Sequence, residues 1–213
     1  MSLQRLSSPV SESGSNEEAW LSIGDLMSVL FLIFVLLFVT MALQAGQAPV
    51  VVGELIEQLR ANDIEVNINE ETGAVSFRES ILFDEGSATL KPSGKTFLSD
   101  FTPVYSSVLF SKEEFREEIT RVVVEGHTSS GGSYGFNMDL SAERAMSVAQ
   151  YILSGDLDIP KQDVLREKLL VAGRGETEAR QDVDDPSDRR VILRLAFRGD
   201  DIRMFFRDFG GAN

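Results

Sequence analysis

The chain has 213 residues, 43% of them hydrophobic, with 34 acidic residues against 20 basic ones and a formal net charge of −14. That length leaves room for one membrane span and one compact domain of roughly 130 to 150 residues, while the charge excludes a nucleic-acid partner, whose phosphates demand clustered Lys and Arg. With no cysteine and a single histidine, neither a disulfide framework nor a thiol nucleophile nor an ordinary zinc site is available, and no cofactor is expected.

Residues 1–19 are rich in Ser, Gly and Glu, lack hydrophobic periodicity and read as a disordered tail. Residues 20–45 read as a transmembrane helix. From Leu26 to Leu43 only Ser28 and Thr40 are polar, and at 1.5 Å rise per residue the run covers about 27 Å, close to a hydrocarbon core of about 30 Å. A cleaved signal peptide is the competing reading, because Ala42 and Ala45 are small. The length of the run, the lone basic residue before it (Arg5) and the acid at its head favour a span. Arg5 precedes the helix and no basic residue follows it until Arg60, so the tail is expected in the cytoplasm and the bulk of the chain across the membrane. If Trp20 marks the membrane interface, Asp25 lies about 7 to 8 Å inside it. A carboxylate there has two readings: a group that carries ions or protons, or an N-cap that suits the helix dipole. Ser28 is one turn further along the same face.

Residues 46–63 read as a linker in which Val51, Val52, Leu55, Ile56 and Leu59 recur at helical spacing, giving an amphipathic helix that either packs or seals. Residues 64–213 form the expected domain. Ile64–Ile68 and Ala74–Phe77 alternate around a turn as a hairpin. Phe97, Leu98, Phe101, Val104, Tyr105, Val108 and Leu109 have helix period, with Pro103 expected to kink or break the helix. The capping-box pattern from Ser111 to Glu114 predicts a short helix through Ile119. Residues 121–125, 169–172 and 191–197 read as strands, and Ser141 is expected to cap a helix ending near Leu153. Met204, Phe205, Phe206 and Phe209 are expected to pack on the domain or support a subunit contact. The class is α+β: one N-terminal transmembrane helix, then an α/β sandwich with helices on one face of a mixed sheet.

Three stretches occur in order: Ile81–Gly94 with its Phe83-Asp-Glu-Gly-Ser-Ala88 core; Val124-Glu-Gly-His-Thr128 followed by Asn137, Leu140, Ser141, Arg144 and Ala145; and Ala172-Gly-Arg-Gly-Glu176 with Asp188-Arg-Arg-Val191. Together they resemble the OmpA-like peptidoglycan-binding domain over roughly Val66 to Phe197. From the residues alone, Arg144 in the first turn of a Ser141-capped helix would aim a guanidinium fork and free backbone N–H groups at a carboxylate. The other reading is a solvated ion pair of Arg144 with Glu143 or Asp139. The resemblance implies that Arg144 grips the carboxylate of diaminopimelate in the cell-wall stem peptide, with Thr128, Asn137 and Leu140 in the site. Ser129 stands where the family has the aspartate that binds the ammonium, so diaminopimelate binding is expected either to be weaker or to rely on Asn137, Asp139 or backbone carbonyls. His127 reads as a packing and hydrogen-bonding residue, Arg189 and Arg190 as braces, and a hydrolase lacks a base for Ser133.

Tail, span, linker helix and domain together resemble the B subunits of ion-driven stators, such as the flagellar MotB proteins, and most of all the ZorB subunits of the Zorya anti-phage defence system. The resemblance implies a proton-carrying Asp25 and two copies of the chain inside a pentamer of MotA-like multi-span subunits, with peptidoglycan as anchor. It implies a bacterial inner-membrane protein with a periplasmic domain. The rival class is a passive OmpA-like envelope tether in which Asp25 is only a cap.

Overall fold

The structure, a computed structural model, describes residues 13–43 and 48–198. Residues 13–19 of the expected disordered tail are instead helical, as the first turns of the helix that carries the span, while residues 1–12, linker residues 44–47, the aromatic cluster at 204–209 and the Trp20 side chain lie outside the described residues. The chain divides into two compact units, with the break after Ala45.

The first unit is one helix, α1 (Ser13–Leu43). Its stretch Ile23–Thr40 is long and apolar enough to cross a membrane, and all of it is exposed. Its two internal hydroxyls turn back on their own helix: Ser28 Oγ donates to Gly24 O at 2.8 Å and Thr40 Oγ1 to Leu37 O at 2.8 Å. Side-chain hydroxyls in an apolar helix satisfy themselves in this way when no other acceptor is at hand.

The second unit opens with α2 (Ala48–Ala61), whose Val51, Val52, Leu55 and Leu59 are at most 2% exposed. The amphipathic stripe therefore packs: it lies against α4 (Pro92–Phe110), and its burial contributes about 1.5 to 3 kcal/mol per side chain. β1 (Asn67–Ile68) and β2 (Val75–Arg78) form the expected hairpin, with Asn69 Oδ1 accepting from the Glu71 and Thr72 N–H groups in its turn. α3 (Glu79–Leu82) follows, and Leu82 backs onto Gly94 of α4, where a Cβ would come 2.7 Å from the Leu82 carbonyl.

The helix α4 runs unbroken through Pro103, contrary to the expected kink. Phe101 and Tyr105, stacked at 5.0 Å, and the edge-on contact of Phe77 with Phe101 at 5.0 Å bury both flanks of the proline turn. Tertiary burial thus outweighs the missing N–H. Ser111 is the C-cap of α4, so the capping box is not formed, and the short α5 (Glu113–Glu118) begins after Lys112 without a side-chain cap.

The remaining elements are β3 (Ile119–His127), α6 (Tyr134–Leu153), α7 (Gln162–Lys168), β4 (Leu169–Gly173), a 3₁₀ turn (Pro186–Asp188) and β5 (Arg190–Phe197). The sheet order is β1-β2-β5-β3-β4, mixed because only β3 and β4 pair in parallel. Register puts Phe77 opposite Val191 and Val124 opposite Leu193, so one face is apolar and carries the helices. The other face carries Arg194, which holds Glu125 through two hydrogen bonds of 3.1 and 3.0 Å.

Candidate functional site

Because β3 and β4 are parallel neighbours, the segments that follow them leave the same edge of the sheet. Gly126 and Gly173 sit side by side at this end, and α6 crosses directly over them. A Cβ on Gly126 would come 2.0 Å from the Ser141 carbonyl, and one on Gly173 2.8 Å from the Ala142 Cβ. Only glycine permits so close a backbone approach. The segment after β4 is tied down at three points: Arg174 N–H to Gly126 O, Thr128 N–H to Gly175 O, and Gly175 N–H to Ser141 Oγ, each 2.9 Å.

The helix cap is Ser133, whose Oγ accepts from Phe136 N at 3.3 Å. Two expectations change with it. Ser141, placed by the sequence at the helix start, is fully buried in mid-helix, where its hydroxyl donates to Met138 O and receives Gly175 N–H. Arg144 is the eleventh residue of α6, not a first-turn residue, so its guanidinium and the free N–H groups of the helix start are at different places. The helix was misplaced because Ser133 lies among glycines and serines that read as loop, whereas Ser141 precedes a clean apolar period.

Arg144 is 2% exposed. Its Nε donates to Ser87 O at 2.9 Å, its guanidinium bonds Glu79 and lies over the Phe83 ring at 5.6 Å. Neither Glu143 nor Asp139 is its partner; Glu79, 65 residues away, is. Burial lowers the Arg144 pKa and the Glu79 charge opposes that shift. Arg189 reaches the other carboxyl oxygen of Glu79 at 3.4 Å and the exposed Glu85 at 3.9 Å. Two guanidinium groups therefore share one buried carboxylate, and Arg189 is also within reach of the exposed Glu85. An incoming carboxylate would compete with Glu85 for Arg189.

The remaining predicted residues gather at the loop between β3 and α6. Thr128, Ser129 and Asn137 are buried and Leu140 half-buried on the helix behind them. Asn137 Nδ2 donates to Gly131 O at 3.0 Å, to Ser129 O at 3.4 Å and to the Glu176 carboxylate. Glu176 lies in a stretch the sequence singled out, but its contact with Asn137 spans 39 residues and was not foreseen. The Thr128 hydroxyl is buried without a partner. His127 is 2% exposed, with Nε2 3.4 Å from Glu125 and Nδ1 3.8 Å from Glu178, as befits a packing residue. Burial would raise the Glu125 carboxyl, but hydrogen bonds and charge from His127 and Arg194 outweigh it and hold the group down at about 2. Arg190 braces Glu178 at 3.5 Å.

In the first unit, Asp25 is the thirteenth residue of α1. The helix extends more than three turns before it, so the capping reading does not hold.

The family model described as the OmpA family matches residues 82–192. The chain is 27% identical to the Zorya protein ZorB of Escherichia coli strain ATCC 8739 over 209 residues, covering 86% of this chain and 88% of that one. It is also 27% identical to the ZorB of E. coli O139:H28 over 201 residues, covering 84% and 80%. Among solved structures, a MotB-like protein from Desulfovibrio vulgaris superposes with a TM-score of 0.51 at 19% identity, over 70% of this chain and 90% of its own, a likeness of fold alone.

Proposed function

Since the chain belongs to the OmpA family through residues 82–192, we propose that it is the membrane-spanning, peptidoglycan-anchoring B subunit of a proton-driven stator of the MotA/MotB kind, working in Zorya-type anti-phage defence. The ZorB relatives, which match both units, support the system. It is an anchor and ion carrier rather than an enzyme. The observation that carries the reading is Asp25: an ionisable side chain in mid-helix at the head of the apolar stretch Ile23–Thr40, joined to no other described residue, on a chain whose second unit belongs to the OmpA family. A carboxylate so placed is costly in lipid and is retained where it meets a water-filled path or a partner.

The mechanical division follows from the two units. α1 crosses the inner membrane with its N-terminus in the cytoplasm, and the OmpA unit grips peptidoglycan in the periplasm. Two copies stand inside a pentamer of multi-span subunits, which turn as Asp25 takes up and releases protons. One proton crossing 100 mV supplies about 2.3 kcal/mol, so sustained torque needs a succession of protonation events. That work is useful only if the Asp25 helix is held still.

The test is the native mass of the complex extracted in mild detergent from cells expressing the chain with its genomic neighbours. A mass requiring two copies plus about five multi-span subunits is expected; a monomer or a bare homodimer would sink the stator reading. Asp25→Asn keeps size and removes the titratable group. It should leave that mass unchanged while abolishing phage protection, and protection at the wild-type level would remove the proton-carrying role.

A further inference from the structure

Beside its first strand the sheet opens into a groove. The ladder between β1 and β2 runs only through Asn67–Ser76 and Ile68–Val75, and the residues before it, 64–66, do not pair with Phe77 and Arg78. The space they leave is a groove of about 890 Å³ that extends to the C-terminal half of α2. Ile56, Ile64, Val66, Ile68 and Ile81 line it, each only half-buried, because each packs on the core from one side alone. β1 is also an end strand of the sheet. An apolar edge without lysine or proline pairs with whatever chain it meets unless something covers it. On the rim, Asp63, Glu65 and Glu70 have no ion-pair partner among the described residues.

The chain itself supplies a segment that reaches this place. Residues 199–213 lie outside the described residues, and they follow the end of β5, where Arg198 N–H is fixed to Glu118 O at 2.7 Å. Ile68 stands two strands away from Leu193, in the row Ile68–Val75–Leu193, or about 10 Å at ordinary strand spacing. Arg198 is five residues further along β5, about 17 Å, which makes its separation from Ile68 about 20 Å. About six to eight residues of chain cover that distance. The residues at those offsets from Arg198 are Met204, Phe205 and Phe206. Arg203 and Arg207 flank them and are the only basic residues beyond Arg198, a complement to the acids of the rim.

We propose that the C-terminal segment of this chain docks in its own groove between β1 and α2, with Met204, Phe205 and Phe206 on the aliphatic row and Arg203 and Arg207 against Asp63, Glu65 and Glu70. The segment covers the edge that would otherwise recruit a second chain. The proposal is independent of the stator and anchor readings.

Because the chain has no cysteine, an introduced pair reports on one contact alone. In the full chain in mild detergent, Val66→Cys with Phe205→Cys should form an intrachain disulfide in most molecules under mild oxidation. Leu170→Cys with Phe205→Cys controls for the reach of the tether: Leu170 is 48% exposed on the opposite edge, also two strands from β5, in the row Leu170–Val123–Arg194. That pair should cross-link about tenfold less, as an undocked segment at similar effective concentration would. Equal yields, or no disulfide in the Val66 pair, overturn the docking; a disulfide between two chains gives the groove to a second copy and overturns it as well. Hydrogen exchange supplies a second measurement. Deleting residues 199–213 should speed exchange across Ile64–Ile68 about tenfold and leave β3 unchanged, and Met204→Ser combined with Phe205→Ser and Phe206→Ser should do the same at full length. Exchange at the wild-type rate in both variants overturns the proposal.

Discussion

Glu125 lies in β3 next to Gly126 on the sheet face away from the helices, where it pairs with Arg194 through two hydrogen bonds and touches His127. Its carboxyl is held at about 2 against an ordinary value of 4.5. A folded-state value below the unfolded one means that the stabilisation is complete above about pH 4.5 and falls away as the pH drops toward about 2. Glu125→Gln should therefore cost stability at neutral pH, by about 1.5 to 3 kcal/mol for a charge-assisted pair, and flatten the stability profile between those two values. Urea melts at pH 7, 4.5 and 3 read this directly, and an unchanged pH slope would refute it. The sequence singled out candidate residues at this end of the domain, but not the partners they meet in the fold. Arg144 stands in mid-helix rather than in the first turn, and Glu79, Ser87 and Glu176, which Arg144 and Asn137 contact, arrive from distant segments that only the folded sheet brings near.

At the scale of elements, the joint between α6 and the sheet is a backbone-to-backbone contact that depends on two glycines. Gly126→Ala would drive a methyl group into the Ser141 carbonyl, 2.0 Å away with no flexible atom to yield. Overpacking in a tight core costs about 1 to 3 kcal/mol, occasionally more, and here the upper end is expected because the whole helix must lift. The same substitution at Gly135, where a Cβ meets nothing within 4 Å, should be nearly neutral or stabilising. A thermal melt of both variants checks the contrast, and equal melting temperatures would count against it. Strands β2 to β5 were visible as alternating or β-branched runs, because period and composition are local properties. The continuity of α4 through Pro103 and the start of α6 at Ser133 were not, since the first depends on aromatic packing from β2 and the second on a cap without the usual acidic third residue.

For the whole molecule, the boundary that matters lies before α2. Val51, Val52, Leu55 and Leu59 complete the core of the second unit, so this helix is structure as well as connection. A fragment beginning at Ala48 should fold alone with one cooperative transition, whereas one beginning at Asn62 should lose several kcal/mol and expose the α4 surface that α2 covers. Chemical denaturation with tryptophan-independent far-UV detection distinguishes them, and equal midpoints would show α2 to be dispensable.

The strand order carries a kinetic consequence. β5 is last in sequence among the described strands yet lies between β2 and β3, so neither half of the sheet has its partner until Arg190 to Phe197 have been made. Pairings that span such separations close late. A chain emerging from the ribosome therefore stays without a complete sheet until β5 has emerged, and a secretion channel, which passes only extended polypeptide, meets up to that point a substrate that has not yet folded. The order of strands works as a built-in delay, and moving β5 ahead of β3 by circular permutation would remove it.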